Sequence, residues 1–288
     1  MKKLLLPLLL LSLLLFGCAR SPVQPVPAPD TPGPAPVEPP LPTAAPEPLW
    51  WEGVTVDDLP AVPAAPEEIL AGAQAFYLLS ELPEQDIALY GYGGSVLEDA
   101  DFSGVLLRRG DTLTPFDQAY LPAVEPVLPE LWWADFDGDG ASELAVKYMI
   151  RNHTRSHVFE LHFYAPEEGG GWTDCGLTDS DADALLAQQV AYAYDPGSRT
   201  ITAALPDERV SYRLGDQDPE PAGDAPLCFL DRTFYRYRDG SFTGVYGTGV
   251  LLQGLGTPCY FASVTADVRY DGASVSLEHL HLTALGGV

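Results

Sequence analysis

The sequence predicts an α+β domain, mainly antiparallel β in hairpins or a meander with one or two helices, set behind a signal peptide and a disordered proline-rich stalk. Three observations predict it. The chain opens on an apolar run that ends at Cys18, continues through a proline-dense stretch to Leu49, and then alternates apolar and polar residues between Asp-Gly turns. Among its 288 residues, 41 are acidic and 15 basic, a net charge of −26 that describes a strongly acidic surface. A basic stripe is what neutralises phosphates, and beyond Lys2 and Lys3 this chain has only Lys147 and scattered arginines. Nucleic acid is therefore excluded as a partner, and anionic membrane surfaces are disfavoured for the same reason.

Met1-Lys2-Lys3 is a short basic start, and the apolar run from Leu4 to Phe16 is broken only by Pro7 and Ser12. Such a run is too short to span a bilayer, which needs about 20 apolar residues, but it suits the core of a signal peptide covering residues 1–17. Leu15-Phe16-Gly17-Cys18 resembles the lipobox of bacterial lipoproteins, with Phe16 larger than the residue usual at its position. That resemblance implies cleavage before Cys18, lipid attachment to its thiol, and a membrane partner reached through that anchor. The implied location is the extracytoplasmic face of the cell membrane.

Residues 18–49 contain 12 prolines in 32 residues and no periodic apolar face, so the segment cannot pack a core. It reads as a disordered stalk of polyproline II character, with a reach of up to roughly 100 Å at about 3.1 Å per residue. The rest, residues 50–288, is long enough for one large domain or two small ones. Asp216 to Pro226, with three prolines and Gly223, is the internal boundary candidate and reads equally as a long surface loop.

Within the domain, Pro66 followed by Glu67 and Glu68 starts a helix, and Ile69, Ala73, Phe76 and Tyr77 continue it at helical spacing until Pro83. Leu144, Val146, Tyr148 and Ile150 alternate with Ala145, Lys147, Met149 and Arg151. Phe159, Leu161 and Phe163 likewise alternate with Glu160, His162 and Tyr164, and each series predicts a half-buried strand. Asp195-Pro196-Gly197, Asp239-Gly240 and Asp271-Gly272 predict three hairpins.

One stretch carries chemistry. Asp135, Asp137 and Asp139 alternate ahead of Gly140, and with the carbonyl of Ala141 and the carboxylate of Glu143 they bring hard oxygens round one centre, a set that suits Ca²⁺. An EF-hand would place a bidentate Glu at its twelfth loop position, where Val146 stands here, so that motif is excluded. The loop resembles the calcium loops of FG-GAP and VCBS-type repeats, in which an Asp-x-Asp-x-Asp-Gly-x-x-Asp loop leads straight into a strand; Glu143 replaces the last Asp. The resemblance extends through Gly169-Gly170-Gly171-Trp172. Those families build propellers from several blades, and no second copy recurs in this sequence, so a single calcium-stapled hairpin is the expectation.

Weaker candidates surround it. Asp179, Asp181 and Asp183 alternate but precede a helical pattern and read as capping residues. His279 and His281 are only two metal ligands without a third at a recognisable spacing. Arg232, Arg236 and Arg238 form a small basic face, most simply a solvated one. Gly91-Tyr92-Gly93-Gly94-Ser95 is not a nucleophile elbow and reads as a strand end and turn. Trp132 and Trp133 face opposite sides of a strand, one of them a candidate platform for a sugar. With Cys18 lipidated, Cys175, Cys228 and Cys259 allow at most one disulfide, of open pairing.

The rhythm Phe234-Tyr235-Arg236-Tyr237-Arg238-Asp239-Gly240 followed by Tyr270-Asp271-Gly272 is similar to lipoproteins of Gram-positive gut bacteria, a resemblance that implies no activity of its own. The expected function is a surface-anchored, non-catalytic binding or adhesion module with a calcium-stabilised β domain and a glycan or protein ligand. The alternative is a secreted hydrolase acting on glycans or cell-wall material.

Overall fold

The computed structural model describes residues 49–71, 74–93, 102–118, 128–153, 156–223, 227–229 and 232–285. The expected signal peptide, Cys18 and the expected stalk up to Pro48 lie outside them, as do Gly94, Ser95 and residues 224–226. Residues from Pro48 to Val288 form one compact unit. It is an α+β domain dominated by antiparallel sheet.

A four-stranded meander comes first: β1 (Phe76–Leu82), β2 (Ile87–Gly93), β3 (Phe102–Arg109) and β4 (Thr112–Phe116), in that spatial order. The main sheet follows with β5 (Glu130–Ala134), β6 (Glu143–His153), β7 (Ser156–Pro166) and β8 (Trp172–Leu177). It is completed, after helix α2 (Asp179–Gln189), by β12 (Arg232–Arg238), β13 (Ser241–Val250), β14 (Cys259–Tyr270) and β15 (Val275–Ala284). Between these lie the three strands of a small sheet, β9 (Ala191–Asp195), β10 (Thr200–Ala204) and β11 (Arg209–Arg213), while α1 (Pro66–Ala71) precedes β1. The main sheet branches at β7, where one edge pairs in parallel with β12 at His157 and Val158 and then with β8 from Leu161 to Pro166.

The three predicted hairpins are present: β9–β10, β12–β13 and β14–β15. The second is the tightest. Asp239 and Gly240 alone join Arg238 to Ser241, with φ of 52° and 83°, the left-handed pair that a two-residue turn between twisted strands requires.

Two expectations need correction. The helix begun at Pro66 reaches only Ala71, and Phe76 and Tyr77 open β1 instead of closing that helix. Their helical spacing to Ile69 is real, but pairing of Phe76–Leu82 with β2 gives Tyr77 and Leu79 one apolar layer and Leu78 another, which a single helix face cannot do. The second correction concerns β6 and β7, which are buried on both faces. Ala145, Met149, Phe159, Leu161 and Phe163 point into a core shared with α2, the small sheet and β12–β15. Leu144, Val146, Tyr148 and Tyr164 point the other way, against Tyr77, Leu79, Leu89, Val105 and Leu107 of the meander.

The segment after β11 is strapped down rather than loose. Arg199 donates to the carbonyls of Gly215 (3.1 Å) and Asp218 (2.6 Å) and pairs with Glu220, and Pro221 bridges to Leu252.

Phe163 is the joint of the larger core, meeting Tyr270 in a parallel stack at 4.8 Å and Phe136 edge-on at 5.4 Å. Truncation to Ala should cost about 3–5 kcal/mol, read as a lowered urea midpoint with an unchanged denaturant slope.

Candidate functional site

The acidic loop is positioned by its hairpin. β5 and β6 pair from Glu130–Lys147 to Ala134–Glu143, and the chain between them must reverse within residues 135–142. Gly138 (φ 83°) and Gly140 (φ 94°) take the left-handed conformations of that reversal. Phe136 anchors it by packing on Phe163, Tyr237 and Phe242. The aspartates tie the loop to itself: Asp135 accepts N–H bonds from Gly138 (2.7 Å) and Gly140 (3.0 Å), Asp137 from Asp139 (2.9 Å), and Asp139 from Ala141 (2.6 Å).

The loop gathers Asp135, Asp137 and Glu143, with one carboxylate oxygen of each within 4.8 Å of the others. Asp139 is not part of that triad; its Oδ1 is turned to the Ala141 N–H. Glu143 is the first residue of β6 and only 3% exposed, and one of its oxygens accepts the Phe136 N–H at 2.9 Å. Burial pushes its carboxyl above the usual carboxylate range. The Phe136 bond opposes that, and the charges of Asp137, Asp139 and Asp135 reinforce it. Among the described residues no Lys, Arg or His forms an ion pair with any of the three. An all-oxygen set with a buried carboxylate at its base fits a hard divalent cation such as Ca²⁺, with Asp135, Asp137 and Glu143 as the residues that would hold it.

Other predicted residues fall elsewhere. His279 and His281 sit on the surface of β15, each 67% exposed at the side chain. Their Nδ1 atoms pair separately with Asp267 (3.0 Å) and Glu208 (2.9 Å), so they do not converge on a metal. His279 lies at a bulge (φ 48°), where the register against β14 shifts. Thr178, not an aspartate, caps α2 by accepting the Asp181 N–H, while Asp183 accepts the Phe229 N–H at 3.0 Å. Trp132 packs edge-on to Phe242 and near Tyr237, and Trp133 meets Trp172 on the opposite side with Arg109 over its ring. Both indoles are thus half-buried rather than open platforms. Arg232 lies over the Tyr260 ring, and Arg236 and Arg238 are exposed. None of Cys175, Cys228 and Cys259 forms a disulfide.

Neither a family model, a curated protein nor a solved structure matches this chain.

One buried polar network was not singled out in the sequence. His162 is 3% exposed, its Nδ1 lies 2.9 Å from both oxygens of Asp174, and its Nε2 is 3.5 Å from Glu160. Glu160 in turn accepts the Asp179 N–H at the start of α2 (2.9 Å) and a Gln118 N–H (3.0 Å). Beside them the Tyr148 and Tyr164 hydroxyls bond at 3.0 Å. His162 faces Gly176 across the β7–β8 pair, and a Cβ there would stand 2.5 Å from the imidazole ring, so only glycine admits it. The signal available was Glu160 and His162 inside an otherwise apolar strand, opposite a glycine that only the β8 register reveals.

Burial alone would strip the proton from His162. The Asp174 hydrogen bond, then Glu160, overcome this and raise its pKa to about 9. A histidine with a raised pKa contributes stability in full below its unfolded value near 6.5, and loses it as pH rises through about 9. The domain should therefore lose up to ~3 kcal/mol between those limits. Denaturation midpoints across that range check it, and His162→Gln should flatten the slope.

Proposed function

We propose that the chain is a lipoprotein held at the extracytoplasmic face of the cell membrane through Cys18, whose β-rich domain is a non-catalytic binding or adhesion module stabilised by Ca²⁺. The observation that carries the calcium reading is Glu143: a carboxylate almost wholly buried, beside Asp135 and Asp137, with no basic side chain among the described residues paired to the three. Such a group is kept either by a proton or by a cation, and three converging carboxylates favour the cation. The ion would hold a turn that already leads straight into a strand, as in FG-GAP and VCBS-type loops, so its role is to close the hairpin.

The anchoring reading rests on the sequence of residues 1–49 together with one feature of the domain. No helix among the described residues is long and apolar enough to cross a membrane, so a lipid on Cys18 would supply the attachment. The acidic surface suits a module that stands off an anionic bilayer on a long spacer. The interior carboxylates Glu160 and Asp174 are engaged with His162. A cleft of about 320 Å³ between β8, α2 and the 271–274 turn is lined by Cys175, Asp181, Leu185 and Ser274.

Two measurements test this reading. Extracellular calcium modules bind with Kd of about 0.1–1 mM. At about 1 mM Ca²⁺ and the tighter limit, linkage gives about 1.4 kcal/mol, a melting shift of ~3–6 °C for a domain of this size. Asp137→Asn should abolish most of that shift and, in calcium-free buffer, raise the melting temperature by deleting one unpaired charge; a wild-type domain with no calcium shift would refute the site. In cells, Cys18→Ser should move the protein from the membrane to the soluble fraction in detergent-phase partitioning.

A further inference from the structure

We propose that the open face of β12, carrying Arg232, Phe234, Arg236 and Arg238, is the surface on which the module takes its ligand, and that this ligand is an acidic glycan bearing carboxylates at intervals along a neutral sugar chain. This rests on the binding-module reading above and names the class of its ligand.

The strand sets the geometry. Thr233 and Tyr235 are buried while Phe234, Arg236 and Arg238 are exposed, the alternation of a strand with one covered and one open side. Arg232, half-buried, continues the open side, and its guanidinium lies over the Tyr260 ring at 5.1 Å. From Arg232 to Arg238 the row runs roughly 20 Å at about 3.3 Å per residue, a length that takes several sugars. Phe234 is 39% exposed and is set in place by Phe159 at 5.8 Å and His157 at 6.4 Å, so an accessible ring stands within the row of arginines. Across the hairpin Phe234 faces Val245, Arg236 faces Thr243 and Arg238 faces Ser241, so no acidic side chain of β13 stands opposite them. Asp267 of β14, opposite Thr243, is engaged by His279 at 3.0 Å.

Charge points to the class of partner. Acidic residues outnumber basic ones 41 to 15, and Arg108, Arg151, Arg199, Arg213 and Arg269 each pair with a carboxylate of the domain. Arg236 and Arg238 pair with none among the described residues. Two neighbouring guanidinium groups without a counter-charge, in a protein with carboxylates to spare, are complementary to an anion from outside. The planar guanidinium fits a carboxylate with two parallel hydrogen bonds. Phe234 offers an apolar ring on which the face of a pyranose stacks, and the hydroxyls of Ser241 and Thr243 beside it suit those of a sugar. The net charge of −26 sets the opposite limit. A polymer charged at every unit would be repelled by the rest of the surface, since salt screens that field only beyond about 8 Å. Carboxylates spaced by neutral sugars reach the arginines with less of that repulsion.

The test is titration calorimetry of the purified protein with a hexasaccharide of alternating glucuronate and N-acetylglucosamine, beside a neutral N-acetylglucosamine hexamer and inorganic polyphosphate. The first should bind and the other two should not. Arg236→Gln and Arg238→Gln should each weaken binding about tenfold while leaving the melting temperature at the wild-type value, and Phe234→Ala should weaken binding as well. No binding of the uronate hexasaccharide by the wild type, equal binding of both hexamers, binding of polyphosphate in their place, or affinities unchanged in the glutamine variants overturns the proposed ligand site. A glycan and peptidoglycan array then separates this failure from that of the broader reading: capture that survives both glutamine substitutions keeps the binding module and moves its ligand off β12, and an array with no capture overturns the module as well.

Discussion

The fold turns on one constraint: the central parts of β6 and β7 are covered on both faces, so the polar side chains buried there must be satisfied inside the protein. A strand with one wet face can leave a glutamate or histidine to water, whereas these strands cannot. The consequences are visible at both ends of the hairpin. Toward α2, Glu160 and His162 are enclosed, and the imidazole lies between Glu160 and Asp174. At the start of β6, Glu143 is enclosed as well, but the side chains gathered beside it are two more acids. The first cluster is balanced by protein groups alone, and in the proposed reading the second would be balanced by a positive charge from outside. That contrast makes the loop a binding site in this account and the histidine network a structural element.

The same constraint explains how the layers assemble. The meander β1–β4 covers the Tyr148–Tyr164 face, and α2 with the small sheet and β12–β15 covers the Phe163 face. Phe136 inserts from the acidic loop into the second of these cores, and Tyr270 stacks there from the far hairpin. Movement of the loop is thereby linked to side-chain packing deep in the domain, so a cation that orders residues 135–143 acts on more than a surface turn.

What could be read in the sequence was what short-range chemistry determines. Asp239-Gly240 specified its hairpin because two residues with positive φ are enough to define that turn. Asp135 to Glu143 announced its own convergence, since alternate acids and flexible glycines act within a few residues. Phe76 and Tyr77 misled because their spacing from Ile69 suits a helix, and only the partner strand Ile87–Gly93 decides for β1. His162 could not be recognised as a buried base without the register that sets it over Gly176 and beside Asp174. Asp139 shows the opposite limit: it alternates with the other acids in sequence, yet its Oδ1 accepts the Ala141 N–H and it is not one of the three carboxylates that converge.

The central claim is that a hard cation satisfies Glu143. A crystal of the protein grown in millimolar calcium tests it most directly. The account predicts one electron-density peak with anomalous signal per molecule, ligated by oxygens of Asp135, Asp137 and Glu143 at about 2.3–2.6 Å. A site holding only water, with Glu143 swung out to solvent or hydrogen-bonded as a neutral acid to Asp135 or Asp137, would contradict it.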